Sequence, residues 1–407
     1  MNKIITDIIA EQIYDSRNNP TLKVSVYVED SVGTFLVPSG ASTGKYEAYE
    51  LRDDNTGKGT VEKAIKQINE IIKPSLVGID VEDQKKIDEI MINLDGTSQK
   101  TILGGNSMIG VSIACAKAAA KVNNIEVYEY LRRLSSMKIL HTNTFLYFNL
   151  INGGKHTKTK LAFQEYHIVP QEKDIVLNIE MCKEIQNKLD EIIVKRYGSL
   201  PIKGDEGGIA INTENIEEPL SLLKEAVDSL NYTNKVMFAL DVAANSFYDQ
   251  SKNIYRFMDK DWDVNQMIEL YKNISKKYPL ISIEDPFYEE DYKSFNLLQN
   301  ELPKTKIIGD DLTVTNINRL KKAIEMQSIE GIIIKPNQIG TLTETLNTML
   351  LARNNNIECI ISHRSGETMD DFISDLAFAF GCYGIKAGAI GPKERNAKYN
   401  RLIKISK

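Results

Sequence analysis

The sequence predicts an α/β protein in which an N-terminal α+β part precedes a β/α barrel. Three observations carry this. The chain has 407 residues, long for one compact core and suited to two domains, or to a small domain plus a barrel. Its first part places strand-like segments ahead of helical ones. From Val236 onward, six short apolar runs each end in a polar residue, and most of the segments between them carry helical periodicity. Strand and helix alternating in this way is the signature of a parallel sheet.

Taken in order, "TLKVSVYVED" from Thr21 alternates apolar and polar residues and reads as a strand, with "VGTFLVP" from Val32 as a partner. "VEKAIKQINEIIKP" from Val61 sets Ala64, Ile65, Ile68, Ile71 and Ile72 at helical spacing, and Pro74 is expected to end that helix. "NSMIGVSIACAKAAAKV" from Asn106 is apolar nearly all round, which predicts a buried helix.

The six later runs end at Asp241, Glu284, Asp310, Lys335, His363 and Lys386, spaced 43, 26, 25, 28 and 23 residues apart. One polar strand end is an ordinary loop, and a lone lysine there is an ordinary solvated cap. The "ISHRSGETMDD" run at Ile361 could by itself be a polar loop closing a strand or a grip for an anion. In a barrel, however, all six ends open on one face, where chemistry sits. Asp241, Glu284 and Asp310 would offer three carboxylates to one cation, and all-oxygen ligation favours a hard ion such as magnesium. Burial and the positive field of that ion would lower the pKa of Lys335 and suit it to act as a base. A metal-bound carboxylate beside a lysine base is the arrangement for removing a proton α to a carboxylate, the metal stabilising the enediolate that forms.

Composition excludes other classes. A net charge of −6 implies no general affinity for nucleic acid or anionic membranes. No apolar run approaches the roughly 18 residues needed to span a bilayer. The N-terminus "MNKIITDIIAEQIYDSR" carries acids among its apolar residues and does not read as a signal peptide. Cys115, Cys182, Cys359 and Cys382 are scattered without a CxxC pair and are expected to be reduced core thiols of a cytosolic protein.

Seven stretches, "PSGASTGKYEAYELRD", "NLINGGKHTKTKLAFQEY", "GDEGG", "SIEDPF", "GDDLTVTN", "KPNQIGTLTET" and "SHRSGET", together resemble the enolase family, in order and over nearly the whole chain. The resemblance implies an N-terminal α+β capping domain (1–139) on a TIM-like barrel of ββαα(βα)6 type (140–407). It implies reversible dehydration of 2-phosphoglycerate to phosphoenolpyruvate in glycolysis and gluconeogenesis. It implies two magnesium ions per site, the second arriving with substrate. By this resemblance Asp241, Glu284 and Asp310 hold the tight magnesium, and Ser42 brings in the second as its loop closes. Gly40 and Gly44 would let that loop move. Lys335 takes the C2 proton, Glu206 helps the C3 hydroxyl leave, and Glu165 is its partner. Two acids close together would raise one pKa. Lys386 balances the substrate carboxylate, Arg364 and Ser365 grip its phosphate, and His156 and His363 lie beside it, whereas His141 and His167 match nothing in the site. A cytoplasmic homodimer, or an octamer built of dimers, is expected, with no nucleic-acid partner; some relatives also have a surface or secreted pool.

The chain departs from the family pattern at Asn18, where a glycine is usual, at "GGNS" from Gly104, at Pro392, where an arginine is usual, and in the basic loop 155–160. Asn tolerates left-handed backbone, so the first turn is expected to survive. Two other readings remain at this stage. One is a dehydratase or racemase of the wider superfamily acting on a non-phosphorylated acid, against which Arg364, Ser365 and the "SGASTG" loop speak. The other is a binding or adhesion protein that has lost catalysis, although no ligand or base is missing.

Overall fold

The computed structural model describes residues 3–40, 44–54 and 59–407. Ser42 lies outside the described residues. Strands β1 (Asp7–Tyr14), β2 (Pro20–Val28) and β3 (Ser31–Leu36) form an antiparallel sheet in that order. The alternation in β2 buries Leu22, Val24, Val26 and Val28 against the helix Gly105–Val122. That helix is buried over most of its surface, as its uniform apolarity requires. β1 carries no clean alternation and gave no strand signal, yet pairs along its whole length with β2.

Pro74 does not end the preceding helix. The segment runs Glu62–Gln67, continues as a π-helical turn over Ile68–Ile72, and ends as Lys73–Leu76. Pro74 sits in the first turn of that last piece, where its missing N–H is tolerated. The face expected to be apolar is buried at Ala64, Ile68 and Ile72, while Ile71 is exposed.

The barrel is closed by β4 (Phe145–Asn152), β5 (Glu165–Pro170), β6 (Val236–Asp241), β10 (Leu280–Glu284), β11 (Lys306–Gly309), β12 (Gly331–Ile334), β13 (Glu358–Ser362) and β14 (Gly384–Lys386). β5 runs antiparallel to both β4 and β6, and all other neighbours are parallel. The long spacing between Asp241 and Glu284 accommodates a small meander of β7 (Tyr248–Asp249), β8 (Ile254–Phe257) and β9 (Lys260–Trp262). Inside the barrel, Tyr147, Val169, Ala239, Ile281, Ile308, Ile333, Ile360 and Tyr383 form a separate apolar cluster, one residue at or beside each strand. This plug fills the interior and leaves chemistry to the carboxyl ends of the strands. All four cysteines are buried free thiols. No helix of the described residues is long and apolar enough to cross a membrane.

Candidate active site

The strand ends converge on one cleft. Asp241, Asp310, Lys335, His363 and Lys386 line it from the barrel strands and the residues just beyond them. Glu165, at the start of antiparallel β5, faces the same space, as do His156, Glu206, Arg364 and Ser365 from loops. Glu284 joins through Lys386, whose Nζ lies 2.7 Å from Glu284 Oε2, 3.4 Å from Asp241 Oδ2 and 3.2 Å from Glu165 Oε2.

Register places Glu284 opposite Asp241 on adjacent strands. Burial, and then the charge of Asp241, drives the Glu284 carboxyl well above the usual range. Asp241 is also raised, again chiefly by burial, with Lys386 opposing. Glu284 Oε1 is buried with no hydrogen-bond partner among the described residues. An all-oxygen donor set, mutual repulsion and one orphaned oxygen fit a hard cation. Among the described residues a different all-carboxylate set also comes together: donor oxygens of Asp285, Asp310 and Asp311 lie within 4.8 Å of one another. Asp285 spends its oxygens on the backbone N–H groups of Asp310 and Asp311, at 3.0 and 2.7 Å. That bond shapes the turn presenting Asp310.

In the protein alone, partners on neighbouring elements set the proton affinity of the lysine and of the acid pair. Lys335 is not depressed. Burial acts to lower its pKa, but the Asp310 carboxylate hydrogen-bonded to it prevails and holds it above the ordinary value. Nor is either acid of the Glu165–Glu206 pair raised. Burial and the neighbouring Glu206 push Glu165 up, yet Lys386 and His167 bring it down to about 2. Glu206 is held well below the usual range because His363 and His156 outweigh its burial. His156 Nδ1 sits between the two acids, 3.6 Å from Glu165 and 3.8 Å from Glu206.

At the other end of the cleft, Arg364 Nη1 donates to Glu47 at 2.9 Å and to Asn337 Oδ1 at 3.1 Å. The adjacent His363 turns Nε2 toward Glu206 Oε1 at 3.4 Å. Ser365 is buried beside them, and its carbonyl accepts from Ser16 and Arg395.

Several supporting residues escaped the sequence reading. Asn149 donates to Glu206 at 2.9 Å, Gln164 to Asp241 at 3.2 Å and Gln338 to Asp310 at 3.1 Å. All lie inside quoted motifs, so position within the motif was the available signal. His167 does not line the cleft but lies behind it, 2.9 Å from Glu165, because strand alternation puts residues two apart on β5 on the same face, and its ring packs against Tyr147 of the barrel interior. His141 instead meets Glu358 at the opposite end of β13, a structural contact. Asn18 adopts φ 58°, the left-handed turn a glycine would take. Pro392 precedes the helix Lys393–Ile405 and packs beside Gly207 in the loop of Glu206.

Comparison with known proteins agrees with this geometry over nearly the entire chain. Residues 5–131 match the family described as "Enolase, N-terminal domain", and residues 142–407 match "Enolase, C-terminal TIM barrel domain". Proteins named enolase from Methanococcus vannielii, Thermococcus gammatolerans and Corynebacterium kroppenstedtii are 44%, 42% and 41% identical to it, over 98% of this chain and 94% of each relative. With both domains matched and relatives this similar along their whole length, the chain belongs to the enolase family.

Proposed function

We propose that this protein interconverts 2-phosphoglycerate and phosphoenolpyruvate by loss or addition of water. The observation that carries the reading is one cleft holding a lysine, a cluster of acids and a buried arginine at opposite sides, on a chain similar to enolases throughout its length. Asp241, Glu284 and Asp310 would hold magnesium. The bound ion would supply positive charge to the substrate carboxylate and so acidify C2. Asp310 also accepts a hydrogen bond from Lys335. Once Asp310 is engaged elsewhere, Lys335 loses the partner that keeps it protonated and can accept the C2 proton. Lys386 balances the substrate carboxylate, and Arg364 with Ser365 holds the phosphate. Glu206 acts at the C3 hydroxyl after gaining a proton within its cluster with Glu165, His156 and His363. In the reverse direction its ionised form takes a proton from water. Ser42 would bring in a second magnesium as the 38–44 loop closes.

The same reading places the domain division at 139/140, a cytoplasmic location and a homodimer or an octamer of dimers. Incubation with 2-phosphoglycerate and magnesium, followed at the ultraviolet absorbance of phosphoenolpyruvate, tests the activity. No absorbance change, with glycerate or another non-phosphorylated acid turned over instead, would replace it with a different superfamily reaction.

A further inference from the structure

The helix Lys393–Ile405 lies outside the strand ends, yet its Arg395 side chain packs directly behind residues that line the site. Arg395 is completely buried. Its Nη1 lies 2.5 Å from His363 Nδ1 and 2.6 Å from the carbonyl of Arg364. Its Nη2 donates to the carbonyl of Ser365 at 2.7 Å and to that of Asp205 at 3.1 Å. One guanidinium therefore spans the turn carrying His363, Arg364 and Ser365 and the turn carrying Glu206.

We propose that Arg395 is a positioning residue that fixes His363 as its Nε2–H tautomer and clamps the phosphate-side turn to the turn carrying Glu206. A guanidinium has donors and no acceptor, so His363 Nδ1 must present a lone pair to it. The ring proton then sits on Nε2, the nitrogen 3.4 Å from Glu206 Oε1. A doubly protonated ring would set an N–H against an N–H. Burial and the Arg395 charge agree, keeping His363 below its ordinary pKa against the pull of Glu206. The packing leaves Arg395 little freedom. Gly388, at φ +84°, makes room for the arrangement, since a Cβ there would meet the Glu206 carbonyl at 2.8 Å and both Arg395 Cδ and His363 Cε1 at 3.2 Å. Lys398, one turn along the same helix face, donates to the Thr368 carbonyl at 2.5 Å and so holds the far end of the segment. His363 thus faces Glu206 as a fixed donor. It can stabilise the Glu206 carboxylate but cannot take a proton at Nδ1 while Arg395 stays in place.

The catalytic part of this inference rests on the proposed reaction, whereas the tautomer can be read without substrate. Histidine-selective 13C and 15N labelling reports which ring nitrogen carries a proton, and only four histidines need assignment. In the wild-type protein at neutral pH, His363 should show a protonated Nε2 and a bare Nδ1. A proton on Nδ1, or on both nitrogens, would overturn the proposal whatever the enzyme turns over. Arg395→Met should mix the tautomers and lower kcat by about 10- to 100-fold, the cost of a lost charged hydrogen bond, with a smaller change in KM. Arg395→Lys keeps one charged donor and should recover the tautomer but only part of kcat. A folded Arg395→Met that keeps the Nε2–H signature, or keeps kcat, would reduce Arg395 to a packing residue. Should the variants fail to fold, the wild-type spectrum still decides. An inactive wild type with the stated tautomer would sink the proposed reaction and leave the positioning role standing.

Discussion

The Arg364 guanidinium donates to the Glu47 carboxylate at 2.9 Å, and both side chains are almost wholly buried. These residues are 317 positions apart. The contact ties Glu47 of the N-terminal part to the residues just past the end of β13. Glu47 also accepts from the Gly44 backbone at 2.8 Å. Glu47 thereby orients the arginine proposed to hold phosphate and links its position to Gly44.

If Arg364 grips phosphate, Arg364→Ala should weaken 2-phosphoglycerate and inorganic phosphate together. The expected loss is roughly 10- to 150-fold, the worth of a charge-assisted bond to a buried phosphate. Glycerate should bind almost as before, and Arg364→Lys should recover only part of the loss. Binding isotherms for the three ligands decide it. Equal losses for glycerate and 2-phosphoglycerate would mean that Arg364 supports the cleft rather than the phosphate.

Glu284→Gln removes one charge at nearly constant size. Magnesium affinity, titrated calorimetrically without substrate, should fall by more than about 10-fold, since disturbing even the groups around a ligand costs that much. Turnover at fixed magnesium should fall with it and partly return at high magnesium. Unchanged affinity would move the site toward Asp285, Asp310 and Asp311.

Division of labour between Lys335 and Glu206 can be separated by isotope exchange. Glu206→Gln should abolish turnover yet leave exchange of the C2 proton with deuterated water, followed by NMR. Loss of exchange along with turnover would argue that the two residues act as one unit.

Asp88 offers a pH test away from the cleft. It accepts from the Thr343 N–H at 2.9 Å, the Thr343 hydroxyl at 2.6 Å and Gln84 at 3.2 Å. Burial outweighs these bonds and raises its pKa from 3.8 to about 6. The folded protein therefore holds this proton more tightly than the unfolded chain. Stability from this group is fully present below about pH 4 and is lost as pH rises to about 6, by up to about 3 kcal/mol. Relative to Asp88→Asn, which cannot ionise, wild type should lose stability across that window. Urea midpoints for both proteins at pH 4, 5, 6 and 7 measure it, and parallel curves would contradict the assignment.

The sequence by itself determined the six parallel strands and their polar ends, because strand periodicity and strand-end chemistry are local. The helix Gly105–Val122 was legible for the same reason, through its apolar residues alone. Motif resemblance located Glu165, Glu206, Arg364 and Ser365, although nothing in their spacing said what they would touch. Tertiary structure decided the rest. β1 shows as a strand only through its pairing with β2, and Pro74 falls in the first turn of the piece that follows a π-helical turn, where its missing N–H is tolerated. The antiparallel course of β5 sets Glu165 opposite Asp241. In the protein alone, partners on other strands and loops outweigh burial in setting the pKa directions of Lys335, Glu165 and Glu206. Arg395 reaches the site across a helix, and Glu47 meets Arg364 across most of the chain. Such pairings depend on how a closed barrel and its N-terminal domain pack together, and no local pattern encodes that distance.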